Sequence, residues 1–290
     1  IMTLRPQVFC LTPEETAPVA CAPFPKNMLE ERSNVYGAFD RPPYAETQAL
    51  DPFNVDNFMK TLPGLTRSRQ LDVILSKLNY IVKNFDWSIC QSIPHSFAAL
   101  RDFDFMIASA HVIEANSYKR VQGLEKILEA LGLFTDHNPR GCNFTYGLFN
   151  PEGDRMRVFT GLNEERVFIH AVQGGTKNLD NSLLTLRQLS MMRVDSEDFE
   201  VLANDLTIQF DSMIPAVVEV LQNVPAEVFS LNIVNFFIPL DINGKTYPGI
   251  TGAQIQNIGI DFIIYGADLH DEKYSSYVSR NLAAMLPFQK

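Results

Sequence analysis

Positive charge is in short supply: Lys and Arg number 24 against 34 Asp and Glu, giving a net charge of −10 over 290 residues and a pI near 5.0. No basic cluster offsets this balance, which argues against a nucleic-acid backbone or an anionic membrane as partner, since both would repel the chain. Cysteine is also scarce. Cys10, Cys21, Cys90 and Cys142 form neither a CxxC pair nor a dense disulfide framework, so free thiols in a reducing, cytoplasmic compartment are expected. No run approaches the ~18 apolar residues of a membrane span, and the opening Ile1-Met2-Thr3-Leu4 lacks the apolar core of a signal peptide. The sequon Asn143-Phe144-Thr145 therefore reads as chance.

Familiar catalytic motifs are missing as well. The chain has no GxSxG, no HExxH, no Walker loop and no GxGxxG, and Gly174-Gly175 falls inside a helical pattern where it predicts a kink. His95, His111, His137, His170 and His270 are scattered without metal-ligand spacing. Asp102 with Asp104, and Glu164 with Glu165, are close pairs that point to different helix faces, so they read as structural, solvated positions. An enzyme of this composition would take its chemistry from a bound cofactor.

What is present is a long helical pattern. A hydrophobic content of 46% supplies an ample core for one large domain or a domain with an appendage. Prolines at 6, 13, 18, 23, 25, 42, 43 and 52 predict that residues 1–60 form an extended arm packed on the body. Residues 61–290 read as a mostly α-helical domain. Helices are predicted over Arg69–Phe85, Ser96–Asn116 and Val121–Leu131, the last stopped by Gly132, with a long loop and a short hairpin over 135–160. Two long helices, Glu164–Met192 and Ser196–Gln222, should follow. After them come an apolar stretch over Val228–Leu240, a turn at Asn243-Gly244, and helices over Thr251–Tyr265 and Asp271–Leu286. Ile255, Ile258, Phe262 and Ile263 are expected on the buried side of the first of these.

One helix carries a chemical signal. Within Phe97–Ser109 the apolar recurrence places Phe105 and Ser109 four residues apart on one face, where a ring and a hydroxyl could line a pocket. The same spacing suits an ordinary core helix whose serine bonds back to the carbonyl one turn earlier.

Four segments in order carry a resemblance. They are Leu62-Pro-Gly-Leu65, Ala98–Ser109, Phe159-Thr-Gly-Leu162, and the run from Val228-Phe229 through Tyr247-Pro-Gly-Ile-Thr-Gly-Ala253 to Asp261-Phe-Ile-Ile-Tyr-Gly266. Together they resemble the heme-dependent indole dioxygenase superfamily of indoleamine and tryptophan 2,3-dioxygenases, most closely its monodechloroaminopyrrolnitrin synthase branch.

The resemblance implies an indoleamine 2,3-dioxygenase-like helical fold, a heme b cofactor, dioxygen as co-substrate, and an indole-like aromatic substrate in specialised metabolism. It implies that Phe105, Ser109, Phe229 and Ser230 line the substrate side, with Ser109 as the catalytic hydrogen-bonding residue. Thr251, Gly252 and Ala253 would face a heme propionate, and a hydroxyl with free N–H groups at a helix start suits such an anion.

Two departures qualify the match. Where the family commonly has an arginine that pairs with a substrate carboxylate, this chain has Val234, which disfavours a free amino acid held in that way. The family's proximal histidine lies well beyond the position matched by Gly266, and the sequence stops at Lys290. A C-terminal part that carries the ligand is therefore expected, with His170 and His270 as in-chain fallbacks. The alternatives are a heme-free binding or scaffold protein that keeps the fold, and a non-heme metal oxygenase.

Overall fold

The computed structural model describes residues 44–250, 254–265 and 271–282. It is mostly helical, as the pattern predicts. Helices α1 (Tyr44–Ala49), α2 (Asp56–Arg67), α3 (Leu71–Lys83), α4 (Ile93–Ile113) and α5 (Leu124–Thr135) come first. They are followed by α6 (Asn163–Met191), α7 (Glu197–Asp211) and α8 (Ile214–Asn223). Ala226–Phe236 then winds through one α turn, a π turn (Phe229–Ile233) and a 3-10 turn (Val234–Phe236). A two-stranded antiparallel hairpin, β1 (Leu240–Ile242) and β2 (Lys245–Tyr247), precedes α9 (Gln254–Tyr265) and α10 (Glu272–Leu282).

Helix α4 is the axis of the first half, packed on α1, α2, α3 and α5. Nearly all of it is buried, including Arg101, Asp102 and Asp104. Each deeply buried Leu or Phe contributes ~1.5–3 kcal/mol, so a helix buried on nearly every side is stable only inside such a sheath, and its charged residues need partners there. The second half is organised on α6, against which α7, α8 and α9 lie. Between the halves sits a single π turn, Phe144–Leu148, in contact with both α4 and α6.

Several expectations change here. The arm expected over residues 1–60 is helical from Tyr44, and α2 carries Pro63 within it and buries Met59 and Leu62; residues 1–43 lie outside the described residues. Gly132 does not stop α5. A β-carbon there would meet the backbone of His137 and Pro139 at 3.0 Å, so this glycine permits a close approach, and Asp136 (φ 47°) takes the left-handed cap instead.

The predicted hairpin within 135–160 is replaced by the π turn and a 3-10 turn at Gly153–Arg155. The single helix expected over Ser196–Gln222 breaks at Ser212-Met213, with Pro215 tolerated in the first turn of α8. Gly174-Gly175 lies within one continuous helical run of α6. Phe262 and Ile263 are exposed on α9, whereas Ile258 is buried as expected. The turn at Asn243-Gly244 is present, with φ of 47° and 77°.

The carboxylate pairs are not solvated. Asp102 accepts from Arg101 Nε at 2.8 Å and Arg157 Nε at 3.1 Å, while Asp104 accepts from the Gly141 N–H at 2.9 Å. Arg157 also reaches Asp56 at 2.6 Å, which ties α2 to α4. Asn143 of the sequon is buried.

Candidate aromatic site between α4 and the 226–236 segment

Phe105 leaves α4 and begins a stack. Its ring lies 4.4 Å from Phe159, and Phe159 lies 4.6 Å from Phe236 at an interplanar angle of 12°. Tyr146, projecting from the π turn, is parallel to Phe159 at 5.7 Å and to Phe105 at 5.9 Å. It meets Phe237 edge-on at 5.1 Å and Phe168 of α6 at 6.2 Å. Phe229 closes the circuit, 4.9 Å from Phe168 and 6.2 Å from Phe237. Offset and edge contacts of this kind each add ~0.5–1.5 kcal/mol beyond area burial, so the wall is stiff.

Ser109 lies one turn beyond Phe105, fully buried, and its Oγ has no hydrogen-bond partner. Hydroxyls elsewhere in these helices bond back along the turn: Thr66 to the Leu62 carbonyl at 2.9 Å, Thr135 to Leu131 at 2.7 Å, Ser182 to Asn178 at 2.9 Å. Ser109 does not. A buried hydroxyl without a partner costs about 1–3 kcal/mol, and a bound polar group would offset that cost.

The other sequence-predicted positions divide. Phe229 is half-buried within the wall. Ser230 is exposed and donates to the Glu227 carbonyl at 3.2 Å, and Val234 is 40% exposed on the following turn. The structure does not bring these two into the buried stack. Thr251, Gly252, Ala253 and His270 lie outside the described residues. The loop that leads to Thr251 is nevertheless pressed against the wall, because a β-carbon on Gly249 would lie 1.8 Å from the Phe237 carbonyl oxygen.

Among the described histidines, His95 meets the Ser92 hydroxyl at 3.1 Å, His111 accepts from the Asn116 N–H at 3.3 Å, and His137 meets the Asn138 carbonyl at 3.0 Å. His170 is exposed on α6. No group of three or more His, Cys, Asp or Glu among the described residues is arranged to hold a metal ion. For a heme, the orphaned Ser109 hydroxyl and the apolar rings near it fit the substrate face.

Sequence reasoning missed Tyr146, Phe168, Phe236 and Phe237, and it placed Glu165 on a solvated surface. Glu165 is buried, and its carboxylate accepts from the Phe159 N–H at 2.8 Å, the Thr160 N–H at 2.7 Å, the Thr160 hydroxyl at 2.6 Å and the Tyr146 hydroxyl at 3.3 Å. Burial raises its carboxyl above the ordinary range, and the four donors moderate the rise. Burial and the adjacent Glu165 charge raise the Tyr146 phenol well above its usual value. Burial would lift the Cys142 thiol, but His137 and the Phe144 N–H, 3.3 Å from Sγ, bring it below its usual value. The one signal in sequence was the acidic first turn of α6.

No single helix among the described residues is long and apolar enough to cross a membrane. A family model described as monodechloroaminopyrrolnitrin synthase PrnB matches residues 52–290, a span that contains every ring of the wall together with Ser109 and Glu165. That family consists of heme-dependent enzymes of indole-derived specialised metabolism. By this match the chain belongs to the monodechloroaminopyrrolnitrin synthase family.

Proposed function

We propose that this protein is a heme-dependent oxygenase or oxidative-rearrangement enzyme whose substrate is an indole-like small molecule held by its ring and not by a carboxylate. The observation that carries this reading is the buried, unpartnered Ser109 hydroxyl one helical turn from Phe105, at the head of the aromatic wall.

Bound heme supplies the redox chemistry that turns dioxygen on an electron-rich ring. The protein's part is positioning. Phe105 and Phe229 offer ring faces to an aromatic substrate, the surrounding apolar side chains keep water out, and Ser109 provides one hydrogen bond that a purely apolar pocket lacks. Ser109 is not a nucleophile in this reading, since no base touches it. Thr251, Gly252 and Ala253, which precede α9 in sequence, are the residues assigned to a propionate, and Ser230 the polar rim.

The absence of a cation at Val234 supports a substrate without a recognised carboxylate. Arg101 offers no substitute, because its guanidinium is buried and engaged by Asp102 and by the carbonyls of Phe149 (2.9 Å) and Leu50 (3.0 Å). Cys90 and Cys142 are buried free thiols, which supports a reducing, cytoplasmic setting.

Protein from the complete reading frame tests the reading by heme titration. One heme per chain with a sharp Soret band supports it, and no specific uptake overturns it.

A further inference from the structure

Glu165 is an unusual residue to find where it is. Its side chain is fully buried with no ion pair to Lys, Arg or His among the described residues, and every group bonded to it is a neutral donor. Two of those donors, the Phe159 and Thr160 N–H groups, cannot reverse their polarity. A carboxylate satisfies both through its two oxygens, whereas a glutamine would turn an NH2 group toward one of them. The Thr160 hydroxyl accepts from the Leu162 N–H at 3.1 Å, so its own hydrogen is free to point at Glu165. The remaining lone pair on the carboxylate takes the Tyr146 hydroxyl.

Those anchored groups are parts of the aromatic wall. Phe159 is the ring between Phe105 and Phe236, and Tyr146 is the ring that contacts Phe105 on one side and both neighbours of Phe229, Phe168 and Phe237, on the other. One carboxylate therefore fixes two rings that come from different elements, the π turn and the loop before α6. We propose that Glu165 is a positioning residue for the substrate wall: through Tyr146 and the Phe159–Thr160 backbone it sets the ring planes that an aromatic substrate meets. It touches no substrate itself. The inference rests on the functional reading above, and adds to it the device that holds the wall in register.

The test compares tryptamine binding to heme-loaded protein from the complete reading frame, as the unmodified chain, Tyr146→Phe and Glu165→Gln. Tyr146→Phe keeps the ring and leaves three of the four donors on Glu165, so the fold is retained and only the tether is lost. Its dissociation constant for tryptamine should rise about 3- to 10-fold with an unchanged melting temperature, and Glu165→Gln should weaken binding at least as much. Amide hydrogen exchange supplies a readout independent of binding: Phe159 and Thr160 should lose protection in Glu165→Gln and keep it in Tyr146→Phe. Equal tryptamine affinity in all three proteins overturns the positioning role while leaving the functional reading intact. Failure of the unmodified, heme-loaded protein to bind tryptamine overturns the functional reading and this inference with it.

Discussion

Gly249 packs on the backbone of Phe237 so tightly that a β-carbon would sit 1.8 Å from the carbonyl oxygen and 2.4 Å from the carbonyl carbon. The Gly249 backbone is thus in close contact with the aromatic wall, and only glycine permits it. Gly249→Ala must push one backbone away from the other. Overpacking typically costs about 1–3 kcal/mol, and here the unyielding partner is main chain, so the loss should reach the upper end of that range. Thermal melting should show it, together with weaker heme uptake if the loop bears a propionate.

Ser109→Ala separates a functional hydroxyl from a structural one. The Oγ has no partner to lose, so the variant should be as stable as the unmodified protein or up to about 1 kcal/mol more stable. Turnover of an indole substrate should fall at the same time. Unchanged kinetics in a fully heme-loaded protein would return Ser109 to an inert core position.

Asp102 is shared by two buried guanidinium groups, those of Arg101 and Arg157. Asp102→Ala would leave Arg101 buried without its carboxylate, while Arg157 keeps Asp56, and breaking a buried pair in this way costs about 3–5 kcal/mol. Denaturant unfolding should register that loss. The Arg155 to Asp56 contact, with both side chains partly exposed, should matter far less when removed.

Much of this was readable in the chain. The stripe of Leu71–Lys83, the Asn243-Gly244 turn and the shared face of Phe105 and Ser109 depend on near neighbours, and periodicity reports those directly. Glu165 and Asp104 were misread because their partners are distant or unconventional: Arg140 lies 36 residues from Asp104. Tyr146 and Glu165 are separated by 19 residues across the π turn and a loop. No local pattern encodes such a meeting. Gly132 misled in another way, since a glycine needed for close approach resembles a helix stop until the chain beyond it is placed.

Glu165 also predicts a pH dependence. Its folded-state carboxyl is raised, chiefly by burial, so the folded protein binds more protons than the unfolded chain between the ordinary value of 4.5 and the higher native one. Stability from this group is greatest below the unfolded value and declines as pH rises through that window. Comparing melting temperatures across pH for the unmodified protein and Glu165→Gln should show a steeper decline through this window in the former.

The central claim is that a bound heme and an indole ring meet beside Phe105 and Ser109, with no cation at Val234 to read a carboxylate. Parallel titrations of heme-loaded protein with tryptamine and with tryptophan, followed by the Soret band, test it most directly. An arginine paired with a carboxylate in a dry site is worth about 2–5 kcal/mol of discrimination, so its absence predicts that both compounds perturb the band with affinities within roughly tenfold of each other. Strong preference for tryptophan, or no spectral response to either, would contradict the account.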